Sequence, residues 1–80
     1  MSEVKKSALD LYIVERVKQM RIDQKMSQAV LAIKLDVSDA FIGAIENPLH
    51  RAKYNTEHIN KLAQIFHCSP REFLPENPIE

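Results

Sequence analysis

The amino-acid sequence predicts a compact all-α domain, and three observations support this prediction. Apolar residues recur at helical spacing in successive segments of the chain, which is the period of amphipathic helices. Serine or asparagine stands before most of these segments, where its side chain can accept the unpaired N–H groups of a helix start. The 80 residues include one glycine and are 45% hydrophobic, so they favour helices over strands and suffice for one core.

The first helix is expected to follow Ser7, because Asp10 three residues later can complete a capping box with it. Residues compatible with a helix continue from there to about Lys25. The helical period assigns Leu9, Ile13, Val17 and Met20 to the stripe that faces the core and leaves Leu11, Val14 and Ile22 off it. We therefore expect the first helix to pack through that stripe.

The segment 21–46, RIDQKMSQAVLAIKLDVSDAFIGAIE, is predicted to form two short helices joined by a sharp corner. Ser27 and Ser38 can cap these helices, which we place at 28–35 and 39–46. The apolar residues of each helix share one face, Leu31 with Leu35 and Ile42 with Ile45. Two capped helices with a connection of a few residues make a helix-turn-helix.

This segment resembles the helix-turn-helix of the phage-repressor and Cro-like (Xre-type) DNA-binding domains. The family pattern stands here in order as Ser27-Gln28, Leu31-Ala32, Val37-Ser38, Ile42 and Ile45-Glu46. Upstream, 16–21 resembles the first helix of the family, and downstream, 62–74 resembles its last two. The resemblance therefore spans most of the chain, from about 9 to 74.

The resemblance implies a five-helix lambda-repressor-like fold, with the helix-turn-helix formed by its second and third helices. We place this domain at 7–74, between a flexible N-terminus, 1–6, and a C-terminal tail, 75–80. A fourth helix is expected after Asn55, and a short fifth helix after Ser69.

The resemblance also implies a transcriptional regulator that binds double-stranded DNA, with its third helix in the major groove. The residues assigned to DNA contact are Ser27, Gln28, Ser38, Asp39, Ala40, Phe41, Gly43, Ala44, Asn47, Arg51 and Lys53. Gln28 is expected to bind a phosphate at the start of its helix, and Arg51 and Lys53 to add contacts from the loop. Because one module contacts one half-site, a homodimer is expected.

Two further positions follow from the family pattern. Arg21 and Glu46 occupy family positions that form a partly buried ion pair. Asp36 stands where the family mostly has glycine at a positive φ, and aspartate tolerates left-handed backbone better than most residues.

The third helix departs from what a base-reading helix usually offers. Asp39, Ala40, Gly43 and Ala44 provide no long donors for guanine or adenine. Asp39 can still accept from a cytosine amine, and Ala40 or Phe41 can touch a thymine methyl. Gly43 costs about 1 kcal/mol in a helix. It is either a tolerated surface glycine or a point of close approach by a backbone or a partner.

A protein-interaction module on the same fold is the alternative function. The 11 basic and 11 acidic residues give a net charge of zero, whereas DNA-binding domains usually have a basic surplus. Apolar residues also stand where the family is usually polar. These residues of the second helix, Ala29, Val30 and Ile33, either pack beneath the first helix or form a partner surface. That surface would also include Leu11 and Val14 of the first helix.

Other classes of protein receive less support from the sequence. The lone Cys68 excludes an internal disulfide and suits the cytoplasm, and no apolar run reaches membrane-spanning length. His58, His67 and Cys68 do not match a zinc-ligand spacing. We expect no enzyme activity, metal or cofactor.

Overall fold

The computed structural model describes residues 6–79, in which four α-helices and one 3₁₀ helix form the fold, with no strand in this range. The helices are α1 (Ala8–Asp23), α2 (Gln28–Leu35), α3 (Asp39–Glu46), α4 (Thr56–Phe66) and the 3₁₀ helix (Pro70–Phe73). The all-α prediction is confirmed. The five-helix count was wrong, because the last element is a single 3₁₀ turn: Pro75 disfavours helical backbone at the residue before it.

Capping fixes both ends of α1. The Ser7 hydroxyl accepts from the Asp10 N–H at 3.0 Å, and an Asp10 carboxylate oxygen accepts from the Ser7 N–H at 3.1 Å. The helix ends at Asp23, slightly earlier than predicted, because Lys25 has a φ of 55°, which lies in the left-handed region.

The buried face of α1 is rotated from the predicted stripe. Val14 is 3% exposed and belongs to the core, whereas Leu9 is 42% exposed, so both assignments were wrong. The buried positions are Ile13, Val14, Val17 and Arg21. Because they lie at i, i+1, i+4 and i+8, the stripe is centred between Ile13 and Val14.

The corner between α2 and α3 follows the predicted geometry. The Ser27 hydroxyl accepts from the Val30 N–H, and the Ser38 hydroxyl accepts from the Phe41 N–H, each at 3.1 Å. Asp36 ends α2 in the left-handed conformation, with φ 63° and ψ 47°. The chain therefore turns sharply within the three residues 36–38, and α3 packs against α2.

The core lies between the four α-helices and the 3₁₀ helix. Its largest fully buried side chains are Val17, Leu31, Ile42, Ile45, Leu62 and Phe73. Burying each contributes roughly 1.5–3 kcal/mol. Phe73 packs against Phe66, with ring centroids 6.3 Å apart, so the 3₁₀ helix closes the core although it is short.

The predicted flexible N-terminus falls largely outside the described residues, since 1–5 are not described. Lys6, its last residue, is 5% exposed and contacts the segment after α3. The tail begins at Pro75 without further helix up to Ile79. No helix in 6–79 has the length and apolar character that crossing a membrane requires.

Candidate nucleic-acid interface

A buried ion pair joins α1 to the end of α3. Arg21 Nε donates to Glu46 Oε2 and Arg21 Nη2 donates to Glu46 Oε1, both at 2.9 Å. The side chains of Arg21 and Glu46 are only 11% and 4% exposed. A third guanidinium bond, from Arg21 Nη1 to the Met26 carbonyl at 2.8 Å, ties down the segment that leads into α2. Such bidentate pairing fixes orientation as well as distance, so α3 is held in register with α1.

Gln28, the predicted phosphate ligand, hydrogen-bonds the Glu46 carboxylate of this buried pair. Its Nε2 donates to Glu46 Oε1 at 3.0 Å, so one of the two N–H donors of the side-chain amide is already engaged. The Gln28 backbone N–H lies in the first turn of α2, where N–H groups have no acceptor within the helix. The geometry therefore leaves the backbone N–H and the second amide N–H open to an anion. We name the trio Arg21, Gln28 and Glu46 the brace.

A shallow cleft separates the N-terminal turn of α2 from α3. Its lining residues are Arg21, Ser27, Gln28, Ala29, Asp39, Ala40 and Gly43. Asp39 and Ala40 are exposed on its α3 side, and Ser38 is exposed beside them. The cleft thus brings together the α2 residues assigned to phosphate and the α3 residues assigned to bases.

Gly43 is helical and half-buried in this cleft. A Cβ atom at this position would meet Gln28 Oε1 at 3.7 Å, an ordinary van der Waals distance, as its nearest neighbour. The packing within the described chain therefore leaves room for a methyl group. Close approach by the protein's own backbone does not explain the glycine, and approach by a partner remains a prediction.

Phe41 is oriented differently from the other α3 candidates. It is half-buried and packs against the ring of His58 on α4, with centroids 5.8 Å apart, and Tyr54 contacts the same imidazole at 6.0 Å. Ala44, the last base-facing candidate, is also half-buried. Only part of each side chain is therefore open to a thymine methyl.

The sequence reasoning missed the role of His58. Its Nδ1 accepts from the Asn55 N–H at 3.1 Å, while Asn55 Oδ1 accepts from the His58 N–H at 2.8 Å. Partial burial, helped by the charge of Lys61, lowers the pKa of His58 below its ordinary 6.5, so the acceptor form is favoured. The spacing of Asn55 and His58 was the available signal, because it is that of a capping box with histidine in place of glutamate.

The loop between α3 and α4 presents its basic residues unequally. Arg51 is exposed, whereas Lys53 Nζ lies 3.4 Å from the Asp10 carboxylate of α1. Asn47 Oδ1 accepts from the Leu49 N–H at 2.9 Å. Among the described contacts, Arg51 is therefore the cation of this loop that has no ion-pair partner.

Tyr54, at the end of the same loop, is not part of its exposed surface. It is 5% exposed and belongs to the core, because its ring fills the space beside His58. Burial, together with the nearby Glu46 charge, raises the pKa of its hydroxyl. No group in the described residues hydrogen-bonds that hydroxyl.

The apolar residues of α2 do not pack beneath α1, so that interpretation was wrong. Ile33 is 78% exposed and Val30 is 42% exposed, and Ala29 is also exposed. Val14, proposed as part of the same partner surface, is buried at 3% and contributes nothing to it, and Leu11 is half-buried. Within 6–79, no group of three His, Cys, Asp or Glu residues is placed to hold a metal ion.

The capped helices α2 and α3 meet at a sharp corner, α3 is held by Arg21 of α1, and the first turn of α3 is exposed. These features define a helix-turn-helix domain. The helix-turn-helix family model matches residues 17–73. The chain belongs to this family, in its Xre-like branch, and the predicted resemblance is confirmed. No curated protein matches the chain.

Solved structures share the fold. The restriction-modification controller protein C.AhdI from Aeromonas hydrophila superposes with a TM-score of 0.68 at 23% identity, over 80% of this chain and 94% of that one. Hydroxypropylphosphonic acid epoxidase from S. wedmorenis gives a TM-score of 0.71 at 22% identity, over 84% of this chain but 35% of that one. At these identities the likeness shows the fold alone, and in the epoxidase the chain spans about a third of the protein.

Proposed function

We propose that this protein is a DNA-binding transcription regulator that docks α3 in the major groove. The observation that supports the proposal is the brace: it fixes α3 from its buried end while Ser38, Asp39 and Ala40 stay exposed beside the α2 cleft. A recognition helix must be exposed and fixed in orientation to read bases.

Phosphate contact in this proposal comes from two places. The first is the N-terminal turn of α2, where unpaired N–H groups and the helix dipole favour an anion. The second is the loop, through Arg51, with Asn47 beside it and Lys53 adding charge. The side chain of Gln28 stays on Glu46 or exchanges that bond for a phosphate.

Specificity in this proposal depends little on hydrogen bonds to bases. The exposed first turn of α3 offers Ser38, Asp39 and Ala40, which are short side chains. Discrimination therefore rests on Asp39, on methyl contacts and on DNA shape. We propose a homodimer, because two half-sites compensate for a small contact surface, and a binding function rather than catalysis.

The test is selection from random DNA duplexes at low salt, with the protein's mass measured in solution. Ala40→Glu places a carboxylate on the exposed face of α3, where acidic residues suit a helix N-terminus but oppose a polyanion. Gln64→Glu on the exposed side of α4 is the matched control for a single added negative charge. We expect Ala40→Glu to abolish retention of the selected duplexes and Gln64→Glu to preserve it. Equal retention by both variants would place the DNA elsewhere.

A protein-interaction function is the second candidate, and the exposed Val30 and Ile33 on α2 favour it. Side chains at i and i+3 share one helical face. If no duplex is retained at low salt, and Ile33→Lys removes self-association seen in the mass measurement, this candidate replaces the first.

A further inference from the structure

Lys6 is a buried lysine that lies just before α1 and contacts the segment after α3. Its Nζ donates to the Asn47 carbonyl at 2.6 Å and also to the His50 carbonyl. The His50 N–H donates to the same Asn47 carbonyl at 3.0 Å. One ammonium group therefore closes the turn that starts the loop. Burial lowers the pKa of Lys6, although the nearby Asp10 acts in the opposite direction.

The Lys6 ammonium lies at the C-terminus of α3, which has no cation of its own. The last turn of α3 contains no basic residue, yet carbonyl groups at a helix C-terminus are unpaired and favour a cation. Asn47 is the C-cap of α3, so Lys6 supplies from a distant part of the chain the charge that the local sequence omits.

A second contact from the same end of α1 holds the far side of the loop. Asp10 Oδ2 lies 3.4 Å from Lys53 Nζ. The same oxygen accepts from the Ser7 N–H at 3.1 Å, so the helix cap anchors the carboxylate. Lys6 and Asp10 thus grip the loop at 47–50 and at Lys53, and exposed Arg51 lies between these points.

We propose that Lys6 and Asp10 form a clamp that sets the conformation of the 47–53 loop and thereby presents Arg51 to the DNA backbone. The DNA part of this inference rests on the proposed function. Both residues are positioning residues, since neither reaches DNA in this scheme. Both also lie outside the family match at 17–73.

Hydrogen exchange of the backbone amides in free protein tests the clamp without DNA. Lys6→Met keeps most of the apolar stem and removes the ammonium. Lys18→Met, at a half-buried lysine within α1, is the charge-matched control. We expect Lys6→Met to speed exchange of the His50 amide at least roughly fivefold, with α4 amides unchanged, because local opening follows local contacts. Lys6→Arg keeps a donor and should restore much of the protection.

Asp10→Asn tests the other half of the clamp. An asparagine oxygen can still accept from the Ser7 N–H, so the cap of α1 is retained while the charge that attracts Lys53 is lost. We expect faster exchange at the Lys53 end of the loop and none of the change at His50 that Lys6→Met produces.

DNA affinity and its salt dependence then test the presentation of Arg51. Arg51→Ala should lower the salt slope by about one per half-site. In the Lys6→Met background the same substitution should change affinity less than half as much, because a loose loop no longer holds Arg51 at the phosphate. Lys18→Met should leave the effect of Arg51→Ala intact.

The outcomes distinguish the clamp itself from its effect on Arg51. Unchanged exchange at His50 in Lys6→Met overturns the clamp, whatever happens with DNA. Faster exchange with an undiminished effect of Arg51→Ala overturns the presentation of Arg51. If the unmodified protein binds no duplex at low salt, the proposed function fails, and the exchange data alone decide whether Lys6 and Asp10 fix the loop.

Discussion

The two ends of α3 are held in opposite ways. At its N-terminus the contacts are local, since Ser38 caps the helix through the Phe41 N–H, and the surface is exposed. At its C-terminus the contacts come from far along the chain: Glu46 is 8% exposed and binds Arg21, and the Asn47 carbonyl binds Lys6. The exposed end is therefore oriented by the buried one.

Removing the buried anchor should have the largest effect. Glu46→Ala leaves the Arg21 guanidinium unpaired in a buried site, which is expected to lower the free energy of unfolding by roughly 3–5 kcal/mol, and by less if water reaches it. Urea denaturation followed by circular dichroism measures this. Glu72→Ala is the control, because the Arg16–Glu72 pair, 3.7 Å apart with side chains 39% and 46% exposed, should contribute less than about 1 kcal/mol. Equal losses for the two variants would contradict the assigned role of the brace.

A substitution at the exposed end should change binding with little effect on folding. Asp39→Asn removes a carboxylate that faces the DNA in the proposed complex. If Asp39 accepts from a cytosine amine, discrimination at one base pair should fall by roughly 1–3 kcal/mol. If it serves only the helix N-terminus, all duplexes should bind more tightly with unchanged preference. Binding titrations with the selected duplex and single-base variants distinguish these outcomes, and unchanged affinity for every duplex would remove α3 from the interface.

The packing behind α3 should respond to pH through His58. Burial and Lys61 lower the pKa of His58 below its ordinary 6.5, so below about pH 6.5 the unfolded chain binds a proton that the folded chain does not. The free energy of unfolding should therefore fall as the pH drops below 6.5, until folded His58 titrates as well. His58→Phe keeps an aromatic ring against Phe41 but cannot titrate, so its melting temperature should fall less over this pH range. If the melting temperatures of the unmodified protein and of His58→Phe fall equally with pH, His58 is not the group responsible.

The smallest expected effect concerns Gly43, in the middle of α3. Alanine is favoured over glycine inside a helix by up to about 1 kcal/mol, and the nearest atom to a Cβ here is 3.7 Å away. Gly43→Ala should therefore raise the melting temperature slightly. If the DNA backbone or a base approaches this point closely, affinity for the selected duplex should fall at the same time. A lower melting temperature would contradict the packing described here.

The helix-turn-helix could be predicted from sequence because local rules determine it. Ser27 and Ser38 cap helices whose bounds matched the prediction, and Asp36 adopted the left-handed backbone expected of the turn. Arg21 and Glu46 were expected to pair from the family pattern, and the structure places them 2.9 Å apart. The base and phosphate contacts assigned to these helices stay predictions.

The remaining features depend on contacts between distant parts of the chain, which periodicity does not reveal. The rotation of α1 that buries Val14 and exposes Leu9 is set by what packs against that helix. Lys6 lies in a polar segment that composition predicts to be flexible, and its acceptors are more than 40 residues away. Tyr54 follows the basic residues of the loop, yet its ring is buried in the core.

The clamp links two pieces of the chain that would have to be inherited together. A chimaera that receives the 47–53 loop from this protein without Lys6 and Asp10 would carry the loop without the groups that hold it. The reverse exchange would bury a lysine beside a loop whose backbone carbonyl groups need not face it. Domain boundaries drawn at the family match, 17–73, would cut between the two pieces, so recombination or grafting should treat residue 6 and the loop as one transferable unit.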